Sequence, residues 1–88
     1  MKTEFRESFL KDLLSIKDKS LLARVKETTQ LVESADTPDD LTHLKKMHGG
    51  RGYFRIRIGD YRVGLKLEGN TFFFVRFLNR KEIYRYFP

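Results

Sequence analysis

Eighty-eight residues suffice for one small domain with a single core, and eight Phe and four Tyr set the chain apart from disordered sequences. No apolar run approaches the roughly 20 residues of a membrane span, no signal-peptide pattern opens the chain, and the absence of cysteine excludes a disulfide framework or thiolate metal site. A cytoplasmic protein is expected. The net charge of +6 is uneven: residues 1–42 hold seven Lys/Arg against nine Asp/Glu, whereas residues 43–88 hold eleven against three. Basicity concentrated in one half points to nucleic acid or an acidic protein as partner.

The first five residues suit a short edge strand. From Ser8 the spacing becomes helical, with Phe9, Leu10, Leu13, Leu14 and Ile16 recurring every three or four residues. Asp18 to Ser20 interrupts the run, and Ser20 is the expected N-cap of a second helix whose stripe is Leu21, Leu22, Val25, Thr29 and Leu31 or Val32. Two such helices form an αα-hairpin whose apolar faces need a sheet to cover. Thr37-Pro38 ends the second helix and restarts the chain with Thr37 as cap, so one or two helical turns are expected on the way to Met47. His48-Gly49-Gly50-Arg51-Gly52 reads as a flexible loop.

Strict alternation over Tyr53–Ile58 and Tyr61–Leu67, on either side of Gly59-Asp60, predicts a hairpin with a two-residue turn. Folding at that turn sets Ile58 opposite Tyr61, Arg57 opposite Arg62, Arg55 opposite Gly64 and Tyr53 opposite Lys66. Tyr53, Arg55, Arg57, Arg62 and Lys66 then share one face, and Phe54, Ile56, Ile58, Val63, Leu65 and Leu67 the other. Like charges directly across a strand pair cost roughly 0.2–1 kcal/mol, so stability alone does not select this cationic face. Gly69-Asn70 turns the chain into a third strand, about 71–78, with Lys66 opposite Phe73, Gly64 opposite Val75 and Arg62 opposite Phe77. Its run Phe72-Phe73-Phe74-Val75 is apolar on both faces, so something covers part of the cationic side, and residues 79–88 are the intramolecular candidate. The fold class is α+β, an N-terminal helical hairpin on a small antiparallel sheet of three to four strands, in a single domain over residues 1–88.

Leu44-Lys45-Lys46, the run from Tyr53 to Val63, and Asn79-Arg80-Lys81-Glu82-Ile83-Tyr84-Arg85 together resemble the RelE/ParE superfamily of bacterial toxins, over nearly the whole chain. The resemblance implies a toxin of a type II toxin–antitoxin pair, held inactive by a small acidic antitoxin, with a heterotetramer of the two as one expected assembly. RelE-like members are endoribonucleases (mRNA interferases) that cut messenger RNA in the ribosomal decoding site, whereas ParE-like members inhibit DNA gyrase. A degenerate member that only binds its antitoxin is the third alternative. Since a fold does not fix a function, the site has to be argued separately.

Cleavage of this kind is attack of a 2′-OH on the adjacent phosphate. It needs a base for the nucleophile, charge stabilisation at phosphorus and a proton for the leaving oxygen. The arginine fork grips phosphate in two bonds, and Arg62 and Arg80 are the candidates for the reacting centre. Arg55 and Arg57 match basic positions of RelE-like toxins and would hold the RNA backbone. Lys45, Lys46 and Lys81 are further candidate RNA contacts, the first two expected on a helical turn. Arginine keeps its proton, so Tyr84, which matches the family's C-terminal tyrosine, is the candidate base or base-stacking platform. Tyr86 and Phe87 are weaker stacking candidates. One departure stands out: many RelE-like relatives have His directly before the terminal-motif Arg, where this chain has Asn79. Two histidines five apart make a weak metal case, and no cofactor is expected.

Overall fold

A computed structural model describes all 88 residues. The chain runs β1 (Lys2–Phe5), α1 (Glu7–Leu14), α2 (Lys19–Ser34), a single 3₁₀ turn at Pro38–Asp40, β2 (Leu44–Lys46), β3 (Tyr53–Ile58), β4 (Tyr61–Glu68), β5 (Thr71–Asn79) and α3 (Ile83–Tyr86). The sheet has five strands in the order β1-β5-β4-β3-β2, rather than the three to four expected. All neighbours are antiparallel except β1 and β5, which run parallel.

The N-cap of α2 is Asp18, two residues before the expected Ser20. Asp18 Oδ1 accepts from the Ser20 and Leu21 amides at 2.9 and 3.2 Å and from the Ser20 hydroxyl at 2.7 Å. A carboxylate both fills the orphan amides of the first turn and complements the helix dipole, so it displaces Ser20 from that role. The stretch towards Met47 holds one of the one or two helical turns expected. It closes one turn at Asp40, whose carboxylate accepts from the Asp36 and Thr37 amides, and then pairs as β2 with the open edge of β3.

The Gly59-Asp60 hairpin has the register read from the sequence, including Arg57 opposite Arg62 and Arg55 opposite Gly64. The β4–β5 ladder begins as expected, with Lys66 opposite Phe73, then slips between Gly64 and Leu65, so that Gly64 faces Arg76 and Arg62 faces Leu78. Val75 is the extra residue of this bulge. The slip turns Phe77 onto the same face as Phe72 and Phe74, which unbroken alternation forbids.

That face packs against the helical hairpin: Phe9, Val25 and Val32 meet Ile56, Ile58, Val63, Leu65, Phe72, Phe74 and Phe77 in one buried cluster. Phe9, Phe72, Phe74 and Phe77 are each 1% exposed or less, worth about 1.5–3 kcal/mol apiece in apolar burial. Beyond Phe5, α1 takes over the edge that β1 leaves open. Ser8 Oγ donates to the Val75 carbonyl, and Asp12 accepts from the Phe77 amide at 2.9 Å and from Arg76 Nε at 2.7 Å. The opposite face carries a smaller cluster of Met47, Ile83 and Phe87, flanked by Tyr53, Val75 and Leu78. The terminal segment therefore does cover part of the cationic side.

Candidate functional site

Because cross-strand partners share a face, the register alone gathers a basic surface on the side opposite the helical hairpin. Lys45 stands opposite Arg55, Arg55 opposite Gly64, and Arg57 opposite Arg62. Lys46, one residue on, is opposite Phe54 and so takes the helical side of the sheet's edge. The two lysines sit on a strand rather than on a helical turn, which separates them.

Arg62 is the centre of this surface and the one buried charged residue of the chain, at 9% exposure. Its Nη1 donates to the carbonyls of Gly59 at 3.0 Å and Tyr61 at 2.9 Å, fixing the guanidinium against the hairpin turn. Its Nε is buried without any hydrogen-bond partner. Burial holds its pKa below the usual arginine value, and the charges of Arg55, Arg57 and Arg80 push in the same direction while Tyr84 opposes them. Three strands and the terminal segment thus meet at Arg62. The ion pairs of the chain, Arg6–Glu68, Lys11–Glu7 and Arg76–Asp12, include none of these four arginines. Arg62 is thus a buried cation with no carboxylate partner, under the influence of three like charges.

The terminal segment supplies the other side. Arg80 follows β5, and its amide donates to the Asp60 carbonyl at 2.8 Å, which pins it beside the Gly59-Asp60 turn. Asn79 is opposite Tyr61, on the helical side, and its Oδ1 accepts the Lys81 amide at 3.0 Å. The residue at the position of the departure therefore closes the turn that carries Arg80 and lies off the cationic face. Tyr84 is 63% exposed and close enough to Arg62 for its charge to bear on it, and Lys81 is exposed in the preceding turn.

Other candidates have different neighbours. Tyr86 faces Arg76, whose guanidinium carbon lies 6.0 Å from the ring centroid, at the α1 edge rather than at Arg62. Phe87 is 3% exposed and packed, which removes it as a stacking platform. Lys66 is engaged, 4.1 Å above the Tyr53 ring and donating to the Arg51 carbonyl at 2.6 Å. Gly64 is a position the sequence reading did not single out, although a lone glycine in a strand pattern is a signal of close approach. A Cβ there would lie 2.7 Å from the Phe87 ring.

These features define a small α+β domain that buries one face of its sheet under a helical hairpin and carries a cluster of basic side chains on the other. Residues 3–84 match the sequence model of the family described as the ParE toxin of the type II toxin–antitoxin system parDE. The chain is 38% identical to "Toxin RelE3" of Methanocaldococcus jannaschii, over the full length of both proteins. Its structure superposes on that of the RelB–RelE antitoxin–toxin complex from Methanococcus jannaschii with a TM-score of 0.80, at 34% identity and covering 97% of this chain and 99% of that one. The toxin–antitoxin complex RelBE2 from Mycobacterium tuberculosis shares the fold, with a TM-score of 0.69 at 23% identity, covering 90% and 96% of the two chains. The chain belongs to the ParE toxin family of type II toxin–antitoxin systems, within the RelE/ParE superfamily.

Proposed function

We propose that this toxin is an endoribonuclease that cleaves messenger RNA on the ribosome, by attack of a 2′-OH on the adjacent phosphate. The observation that carries the reading is Arg62: buried, with an unpartnered Nε, and surrounded by Arg55, Arg57 and Arg80 with no carboxylate to neutralise it. A phosphodiester supplies the missing negative charge. In the reaction the 2′-oxygen loses its proton and bonds to phosphorus, the bond to the 5′-oxygen breaks, and that oxygen takes a proton from water, so that a cyclic phosphate and a free 5′-OH result. Arg62 and Arg80 stabilise the charge that builds on the phosphoryl oxygens, as preorganised donors at such a centre do. Arg55, Arg57 and Lys45 hold the flanking backbone. Tyr84, exposed and close to Arg62, takes the nucleophile's proton or stacks on a base. Lys81, one residue past Arg80, extends the backbone contact. The antitoxin is a small acidic protein that competes for the same charges, in a heterotetramer with the toxin.

Induced expression with primer extension on a translated reporter tests this. Growth arrest with codon-periodic cuts, lost in Arg62→Ala and Arg80→Ala, is the expected result. A second reading, inhibition of DNA gyrase, is favoured by the family whose sequence model matches. Arrest with DNA damage and intact messages would replace the first reading by the second. No arrest would leave a member that only binds its antitoxin.

A further inference from the structure

The four-residue helix α3 is far too short to persist on its own, since isolated helices below about 12–15 residues are marginal in water. What holds it is packing at its two ends. Ile83 is fully buried, and Phe87, whose amide donates to the Ile83 carbonyl at 2.8 Å, is 3% exposed. The Phe87 ring lies directly on Gly64, where a Cβ would meet three ring carbons at 2.7 to 2.9 Å, and it packs edge-on to Tyr53 at 5.5 Å between centroids. Tyr53 is in turn covered by Lys66, and Met47 closes the cluster. Gly64 is buried in the middle of β4, two residues from Arg62 and cross-strand from Arg55, and its φ is not positive. Glycine there is a matter of space rather than of backbone conformation. Leu78, the cross-strand partner of Arg62, also touches this cluster.

We infer that Phe87 is a positioning residue for the site: seated in the Gly64 hollow, it anchors α3 so that Tyr84 stands at the arginine cluster. This rests on the nuclease reading for its catalytic consequence, and on packing alone for its structural one. A ring fixed in a glycine hollow restricts α3 in both rotation and height. Displacing a reacting group by about 1 Å costs on the order of 10²-fold in rate.

The test uses the full chain with 3-fluorotyrosine at all tyrosines, the Tyr84 resonance being assigned by Tyr84→Phe, alongside cleavage kinetics. In the wild-type background Arg62→Lys is expected to move the Tyr84 signal; in the Phe87→Ala background it is expected to leave it unmoved, because Tyr84 no longer stands at Arg62. Persistence of the response in Phe87→Ala overturns the inference whether or not the protein cleaves RNA. Kinetically, Phe87→Ala is expected to lower kcat roughly 10- to 100-fold with KM within about threefold, and Phe87→Leu to restore most of it. Unchanged kcat in an active enzyme overturns the inference and spares the nuclease reading. A wild type that does not cleave sinks the nuclease reading and leaves the fluorine response to decide. If Phe87→Ala fails to fold, Gly64→Ala, which pushes the same ring from below, gives the same two readouts.

Discussion

Replacing Arg62 by Met separates a functional arginine from a structural one, because the two make opposite demands on stability. The side chain is almost wholly buried, so its unpartnered Nε costs about 1–3 kcal/mol in the folded state. Facing Arg57 across the strand pair adds roughly 0.2–1 kcal/mol of repulsion. Against this stand the two Nη1 bonds to Gly59 and Tyr61, worth about 1.5–3 kcal/mol each as bonds from a charged donor. Their carbonyls border the half-exposed turn, where water takes over much of the loss, and the Met stem retains most of the packing of the arginine methylenes. The two bonds outweigh the opposing costs by about 2 kcal/mol before the carbonyls are rehydrated, so the net loss should stay below about 2 kcal/mol, or about 2 M in a urea midpoint for a domain of this size. Cleavage, by contrast, should fall about 10²–10³-fold, the usual cost of one preorganised donor at a developing charge. Inorganic phosphate gives a third readout: at ten times its Kd it should stabilise the wild type by about 1.4 kcal/mol and Arg62→Met not at all. A loss above about 2 kcal/mol without phosphate, with cleavage changed only in proportion to the folded fraction, would make Arg62 a structural tether and refute the anion-receptor argument.

Lys45 and Lys46 are adjacent in sequence but opposed across the sheet, so Lys45→Ala should reduce the log–log salt slope of single-stranded RNA binding by about 0.7 while Lys46→Ala leaves it unchanged; equal effects would contradict the register. Asp12→Ala strands Arg76 and the Phe77 amide at the edge of β5, and about 2–3 kcal/mol should be lost in urea denaturation, with Asp12→Asn milder because it keeps one acceptor; a change under about 0.5 kcal/mol would show the edge to be held by other contacts. The Ser20 and Leu21 bonds hold the Asp18 carboxylate below its ordinary value, so its capping contribution is present above about pH 4 and is lost as the pH falls through the lowered folded value. The Tm difference between wild type and Asp18→Ala should therefore be clear at pH 7 and vanish near pH 2; a pH-independent difference would assign the effect to something other than the charge.

What the sequence disclosed follows the range of the interactions involved. The β3–β4 register was legible because a two-residue turn at Gly59-Asp60 is a local constraint, and alternation then propagates it without slack. The β4–β5 register was legible only as far as Phe74. The four apolar residues Phe72 to Val75 carry no alternation to betray a slip, and the bulge is decided by which phenylalanines reach the helical hairpin, a tertiary matter. β1 was suspected as an edge, but its pairing is parallel and lies across the whole helical crossover, beyond any local pattern. β2 has three residues, too few for a period to declare itself, so the Thr37-Pro38 start signal was extended too far.

The same distinction orders the site. Arg55, Arg57 and Arg62 lie on one hairpin, so their convergence was readable from spacing, whereas Arg80 and Tyr84 reach them only through the turn that Asn79 closes and the anchor that Phe87 sets on Gly64. Asn79 stands where many RelE-like relatives have His, yet its register assigns it to the helical side and its carboxamide to the Lys81 amide. A histidine substituted at position 79 would start from that side of the sheet and give up the Lys81 cap. Asn79→His is therefore not expected to raise cleavage, and any gain would have to come from a rearranged terminal turn, visible as loss of protection at the Lys81 amide. If the rate rose with that turn intact, the assignment of Asn79 to turn closure would be wrong.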